Sequence, residues 1–480
     1  MKRGFTLIEL LAVIVILAII ALIATPIVLD IIEDSKESAN IQSINSLVDM
    51  AEMYATTNET TGNLYDKVID KIEGSKPDNG VVYVNKKGEV ALALKYNNKC
   101  YVKAYDSNKI TQSKEENCIV PVDYLLSVKD SSNTNPVVFN SDIERSKIER
   151  IITVSTNEVP IDVIGSFDVS ENQNGSIMAW YKDEDGNGLY ELYIGQDGGV
   201  KANPDSNKLF NYYINVTSID LSNFDTSNVT NMQAFFQRCE KLQNLDLSRF
   251  NTSNVTNMNA MFNQCQSLEQ LNVSNFDTSN VTTMLSMFQK CIKLEILDLS
   301  NFDTSKVIGM RYLFNKCSSL QTLDLSNFNT SKVTDMKAMF QDCSNLRFLD
   351  LSTFDTSNVT TMQALFFGCT SLETINLSSF NTSNVTNMYA MFYNCNSLNE
   401  LNLSNFNTSQ AEDISYMFDN TTNLKTININ NADFTKVTEY SYMFRESGVT
   451  NITVKDENAK AFIEARLTDA SITGATVTIG

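Results

Sequence analysis

Seven cysteines, Cys239, Cys265, Cys291, Cys317, Cys343, Cys369 and Cys395, follow one another at a step of 26 residues. Nothing else in the chain constrains its fold so tightly. Phe224, Phe250, Phe276, Phe302, Phe328, Phe354, Phe380 and Phe406 keep the same step, as do Met232, Met258, Met284, Met310, Met336, Met362 and Met388. Nine registers fit between Ile219 and Met443–Phe444 without an insertion. A period of that size is the mark of a solenoid, in which no unit buries its apolar face alone and each is stabilised by its neighbours.

One unit, Leu245 to Gln270, reads LDLSRFNTSNVTNMNAMFNQCQSLEQ. Leu245 and Leu247 flank Asp246, so a short strand points both leucines inward, and stacked units set such strands ~4.8 Å apart in a parallel sheet. Asn-Thr-Ser-Asn is turn material whose short side chains bond their own backbone. Thr256-Asn257 supplies N-cap residues and predicts a short helix carrying Met258, Met261 and Phe262. Cysteines stacked in parallel point the wrong way for disulfides, and C-x-x-C metal spacing is absent, so they read as small buried hydrophobes. Thr421 and Ser447 replace cysteine, and Ala432 replaces phenylalanine, where the array fades. Val307-Ile308-Gly309 departs from the consensus and predicts one altered turn.

Between the inward leucines one residue per unit faces out: Asp220, Asp246, Asn272, Asp298, Asp324, Asp350, Asn376, Asn402 and Asn428. Carboxylates ~5 Å apart repel by ~0.8 kcal/mol per pair in water, so the row either attracts cations or a basic ligand, or is held by neighbouring Ser, Thr and backbone groups. The second reading is the simpler. Phe348, Phe367, Tyr389, Tyr393 and Tyr416 occupy slots that are polar in earlier units. They are candidates for a ligand surface, with packing between loops the competing reading. Several Asn-Val-Thr triplets, at Asn228, Asn254 and Asn280, read as turn chemistry.

The repeat resembles the 26-residue leucine-rich repeats of bacterial surface proteins, the BspA-like group, over about half the chain, with N/D-T-S-N/K-V-T-x-M-x-x-M-F-x-x-C recurring nearly verbatim. The stretch from about Asn140 to Asn211 looks like the N-terminal cap that precedes such arrays, and Lys455 to Gly480 closes the other end.

At the N-terminus, Leu10 to Leu29 is a run of twenty residues without a charge, enough at ~1.5 Å per residue to cross a ~30 Å hydrocarbon core. Lys2 and Arg3 before it, with Asp30, Glu33 and Asp34 after it, place the N-terminus inside and the rest outside. Glu9, at the edge of the apolar run, costs a few kcal/mol in lipid and is a functional residue by default. Gly4 followed by FTLIE resembles the type IV prepilin signal. The resemblance implies cleavage after Gly4 by a prepilin peptidase, methylation of Phe5, pairing of Glu9 with the N-terminal amine of a neighbouring subunit, and a kinked stem at Pro26. Apolar spacing continues the helix to about Thr56, a rod of roughly 75–80 Å. A short helix near Leu64–Ile72 and strands near Gly80–Asn85, Glu89–Tyr96 and Lys99–Tyr105 follow. Cys100 and Cys118 stand alone here, outside the membrane, and read as one disulfide closing a small loop or as two free thiols.

The chain has no histidine, which removes Ser-His-Asp and Cys-His catalysis and histidine metal sites. With 37 basic and 57 acidic residues, a formal charge of −20 argues against nucleic acid as a partner of the repeats. No enzyme activity and no cofactor is expected. Asp183, Asp185 and Asn187 with Gly188 mimic the first half of an EF-hand loop, but Ile194 stands where the closing glutamate belongs. The segment reads as a hairpin turn, with calcium the weaker reading.

The expected fold class is α/β multidomain: a long pilin-type helix with a small β-rich head, then a solenoid of short parallel strands plus short helices. The boundaries are a leader over 1–4, a transmembrane and assembly helix over 5–29, helix and head over 30–120, linker and cap over 121–212, solenoid over 213–446, and C-terminal cap over 447–480. The expected function is a pilin-like subunit at the bacterial cell surface, a single-pass membrane protein before assembly. As a minor or tip component it displays the repeats to a host, matrix or bacterial ligand. The alternative is a pseudopilin of a secretion or DNA-uptake apparatus. Expected partners are other pilin subunits, the prepilin peptidase and, through the N-terminal helix, the membrane.

Overall fold

The computed structural model describes residues 35–57, 62–71, 74–84, 88–97, 99–104, 109–113, 126, 138–139, 141–171 and 175–480. Gly4, Phe5, Glu9, Pro26 and Cys118 lie outside them, as does the apolar segment over 5–29. Among the described residues no helix is long and apolar enough to cross a membrane. The chain divides into two compact units, Met1–Tyr124 with Asn172–Ser176, and the remainder from Leu125 to Gly480.

In the first unit residues 35–57 are helical. Ile44, Leu47, Val48, Ala51 and Ala55 recur at helical spacing and are buried. They pack on a five-stranded antiparallel sheet whose strands lie in chain order: β1 (Gly62–Asn63), β2 (Asn79–Val84), β3 (Val90–Tyr96), β4 (Lys99–Lys103) and β5 (Thr111–Ser113). Val82, Val84, Leu92, Leu94 and Tyr101 face the helix, and alternation sends Tyr83, Ala91, Ala93, Cys100 and Val102 to the other side. The expected short helix is present as an α-turn at Tyr65–Val68 running into a 3₁₀ turn at Ile69–Lys71.

The second unit opens with a sheet that becomes the solenoid. Strands β6 (Ile148–Val154), β7 (Gly165–Asp168), β8 (Ile177–Lys182) and β9 (Tyr190–Gln196) lie in the order β6-β9-β8-β7. On its free side β6 pairs in parallel with Ser218–Asp220, the first inward-leucine strand, which pairs in turn with Asn244–Leu245. The cap therefore donates the edge on which the first rung forms, and a single apolar core runs from Leu126 to Val477. Arg145, buried at the start of β6, donates to the carbonyls of Lys208 and Asn211 and to the Asn211 side chain, and lies 5.1 Å from the Tyr213 ring centre. At the far end, strand Asn451–Val454, helix Glu457–Asp469 and strand Thr476–Ile479 extend the parallel sheet that begins at Glu400–Asn402.

One expectation for the rungs is corrected. No helix forms at Met258, Met261 and Phe262 or at their equivalents, where the chain makes successive turns. In the rung that begins at Met232, the N–H groups of Met232, Ala234, Phe236 and Arg238 bond the carbonyls of Asn257, Asn259, Met261 and Asn263 in the next rung. Phe235, Gln237 and Cys239 bond back three residues. Ala234 and Arg238 sit at φ 55° and 62°, and Ala260 and Gln264 at 54° and 65°, the positive φ that the third residue of a type II turn demands. A left-handed residue every fourth position stops a helix from propagating and turns alternate N–H groups outward to the neighbour. The same bonds already link Ser206, Lys208, Phe210 and Tyr212 to the following rung. The repeat geometry thus starts near Asn203, inside the stretch assigned to linker and cap.

The departure at 307–309 does not break the register. Ile308 N–H still bonds Thr282 O, and Gly309 bridges to Asp335. A Cβ on Gly309 would come within 2.9 Å of Leu285 Cδ2, so glycine makes room for the bulky residue one rung earlier.

Candidate binding face of the solenoid

Inside the coil the periodic residues stack on their own copies. Phe236, Phe262, Phe288, Phe314, Phe340, Phe366, Phe392, Phe418 and Phe444 form one column with ring centres 5.5–5.9 Å apart. All seven repeat cysteines are buried and free. Each thiol donates to the carbonyl of a phenylalanine in the preceding rung, as Cys317 does to Phe288 O at 3.1 Å. Burial pushes the thiols of Cys265 and Cys317 up to about 12. These sulfurs are packing atoms with one weak hydrogen bond each.

The threonine of Asn-Thr-Ser-Asn has a use that the repeat pattern alone does not show. Thr304, 1% exposed, donates to Asn329 O at 2.9 Å and accepts from Asn329 N–H at 2.8 Å. Thr226, Thr252, Thr278, Thr356 and Thr408 make the same two-way clip to the next rung.

The outward row between the leucines is exposed except at the half-buried Asn428, and each side chain is engaged by its own backbone. The Ser248, Ser300, Ser326 and Ser352 N–H groups donate to Asp246, Asp298, Asp324 and Asp350 at 2.9–3.0 Å. The Ser222 N–H does the same to Asp220. Asn272, Asn376 and Asn402 make the identical turn. These bonds hold the carboxyls of Asp246, Asp298, Asp324 and Asp350 below the usual value of 3.8. Among the described residues no group of three or more acidic or sulfur side chains is placed to hold a metal ion. Asp183, Asp185 and Asn187 lie between β8 and β9 and accept from the Gly188, Asn187 and Leu189 N–H groups.

Four of the five aromatic candidates come together and one stands apart. Phe348, 51% exposed, lies on strand Phe348–Asp350 beneath the Arg347 guanidinium, which also pairs with Glu373. Phe367 and Tyr393 stack at 4.5 Å, Tyr393 reaches Tyr416 at 6.5 Å, and Tyr389 reaches Tyr416 at 5.4 Å. The stripe continues through residues not singled out from the sequence. Tyr442 follows Tyr416 at 5.3 Å, and Arg445 covers Tyr442 at 4.7 Å. Across a cavity of about 380 Å³, Arg466 of the cap helix covers Tyr440 at 4.1 Å. Tyr442 was legible, since it holds the register position of Tyr416. Arg466 lies outside the repeat and carries no such signal.

Earlier rungs fill the Phe367 position with amides. Asn263 donates to Gln289 Oε1 at 2.6 Å, and Gln289 to Asn315 Oδ1 at 2.9 Å. That amide ladder gives way to Phe367 and Tyr393, and then to an ion pair. Asp419, fully buried, accepts from Arg445 Nε at 3.2 Å and Nη2 at 2.6 Å. Burial raises the Asp419 carboxyl against the pull of that guanidinium.

Strand, turn face and caps together define a class: a capped parallel solenoid of 26-residue rungs. The chain belongs to the family described as "Mycoplasma protein of unknown function, DUF285", whose matches at 205–297, 270–348, 294–374 and 343–456 run without a break over more than half of it. A second match, described as a prokaryotic N-terminal methylation motif, covers residues 1–25. Among solved structures the chain is similar to a TLR13–ssRNA13 complex at 14% identity, over 58% of this chain and 53% of that one, with a TM-score of 0.19. It is also similar to the functional domain of InlJ from Listeria monocytogenes, described as including a cysteine ladder, at 14% identity over 52% of this chain and 65% of that one, with a TM-score of 0.17. The chain spans less than two thirds of the length of either structure, and neither superposition is close enough to carry detail across. No curated protein matches it.

Proposed function

We propose that the chain is a type IV pilin-like surface subunit, incorporated as a minor or tip component, whose solenoid displays a recognition face for adhesion or ligand binding. The observation that carries this reading is the joining, on one chain, of a methylation motif at residues 1–25 to a repeat array over 205–456. A buried carboxylate needs a partner charge, so Glu9 pairs with the amine of methylated Phe5 on the next subunit when the apolar segment leaves the membrane. A rung-by-rung array is bulky for every position of a fibre, which favours sparse incorporation. Solenoids offer extended surfaces and supply no chemistry of their own. A Cys100–Cys118 disulfide closes the head in this reading.

Mass spectrometry of the mature N-terminus tests the route: a chain beginning at methylated Phe5 supports it, and one beginning at Met1 removes it. Glu9→Leu is expected to leave the protein processed but absent from filaments. Cells lacking residues 205–456 are expected to keep their filaments and lose attachment. Intact attachment with failed secretion or DNA uptake would assign the chain to a pseudopilin apparatus instead.

A further inference from the structure

The stripe from Phe367 to Arg466 ends in a cavity lined by two tyrosines, Tyr440 and Tyr442, and by the polar side chains of Ser441, Arg445, Arg466 and Asp469. Tyr442 is 55% exposed and Tyr440 38% exposed, so both rings show surface to solvent while a guanidinium lies over each. A volume of about 380 Å³ is in the range of small-molecule sites.

Charge decides what class of ligand suits it. Arg445 already spends two N–H groups on the buried Asp419, and Arg466 Nε bonds Asp469 Oδ2 at 2.8 Å. These two pairs cancel, the Glu446 carboxylate beside Arg445 adds a negative charge, and the chain as a whole carries −20. An anionic ligand therefore meets no net attraction, and a cationic one meets guanidinium groups at the rim. What remains is a set of fixed donors and acceptors, the guanidinium N–H groups and the Asp469 carboxylate, beside flat apolar rings. That combination fits a molecule with a C–H face and vicinal hydroxyls.

We propose that the Tyr440–Tyr442–Arg445–Arg466 cavity, with the Phe367–Tyr393–Tyr416 stripe leading into it, binds a neutral glycan. One sugar ring sits in the cavity and the following ones lie along the aromatic rungs. This assignment rests on the display reading above and gives that face its ligand class.

The repeat itself supplies variants that keep the fold. Tyr416 and Tyr442 sit at φ 59° and 57° in the register position that alanine fills at 234, 260, 338, 364 and 390, where φ is 52–55°. Tyr416→Ala and Tyr442→Ala therefore restore a residue this backbone already accepts. Phe367→Gln and Tyr393→Gln restore the residue of Gln289 and Gln341. Saturation-transfer NMR and calorimetry on the full-length chain in detergent would use neutral hexasaccharides of glucose, mannose, galactose and N-acetylglucosamine, with hexauronate and a proline-rich decapeptide as contrasts. At least one neutral hexasaccharide is expected to bind, with saturation on its ring C–H protons. The Tyr416→Ala/Tyr442→Ala pair is expected to weaken it about tenfold or more at unchanged Tm.

Three outcomes overturn the assignment: no neutral hexasaccharide binding up to roughly 10 mM, binding unaffected by the alanine pair, or binding of the decapeptide or the uronate alone. Attachment of cells that persists when the alanine pair is introduced, but is lost with residues 205–456, would sink the glycan cavity while leaving the display reading in place.

Discussion

A single aspartate shows how little the outward row asks of its charge. Asp298 accepts one backbone N–H two residues on, and Asn272 and Asn402 do the same without a charge. Its carboxyl, like those of Asp324 and Asp350, titrates below 3.8. A lowered value means these groups contribute stability above that pH and lose it as pH falls through the folded value. Asp298→Asn, Asp324→Asn and Asp350→Asn combined are expected to flatten the acid limb of the stability curve and to move Tm at pH 7 by no more than roughly 2 °C. Calcium is expected to leave that Tm unchanged. A thermal scan between pH 2.5 and pH 7 checks both, and an unaltered acid limb would sink the account of the row.

At the scale of the rung, the threonine clip and the turn segment are the two devices that hold one unit to the next. Thr304→Val keeps shape but leaves the Asn329 N–H and C=O without their partner at the buried Thr304 site, an expected loss of about 1 kcal/mol read from urea unfolding. Thr304→Ser, which retains the hydroxyl, is expected to recover most of it. The inward leucines, the strand register and the outward row were all legible, because period 2 and period 26 are written directly in the residue order. The turn segment was misread. Met-x-x-Met-Phe-x-x-Cys has helical spacing, and the left-handed positions are held by Ala260 and Gln264, which are not turn formers. What selects turns over helix is the bond from each alternate N–H to a carbonyl one rung away, a partner that no local window contains. Arg466 was invisible for the same reason, since only the fold of the cap carries it to Tyr440.

For the whole array, seven buried thiols create a limit in alkali. Their ordinary value is 9.0 and burial raises all of them, Cys265 and Cys317 to about 12. A raised value means the stabilisation is complete below pH 9 and is lost as pH rises toward the folded value, at about 1.4 kcal/mol per pH unit for each thiol. Rungs that unfold together add these slopes. The urea midpoint is expected to hold between pH 7 and pH 8.5 and to fall steeply above pH 9. Iodoacetamide is expected to label the seven thiols only along that fall. Cys317→Ala with Cys343→Ala is expected to make the alkaline slope shallower. Rapid labelling at pH 8 would show that the sulfurs are open to solvent, and would overturn their assignment as packing atoms.

Because each rung bonds only the rungs before and after it, internal junctions share the same backbone seam even where their side chains differ. Genetic recombination between equivalent codons can insert or delete whole turns of the coil without a mismatched seam. Lineages are thereby free to tune how far the last rungs project while keeping both ends, and whatever those ends hold, unchanged.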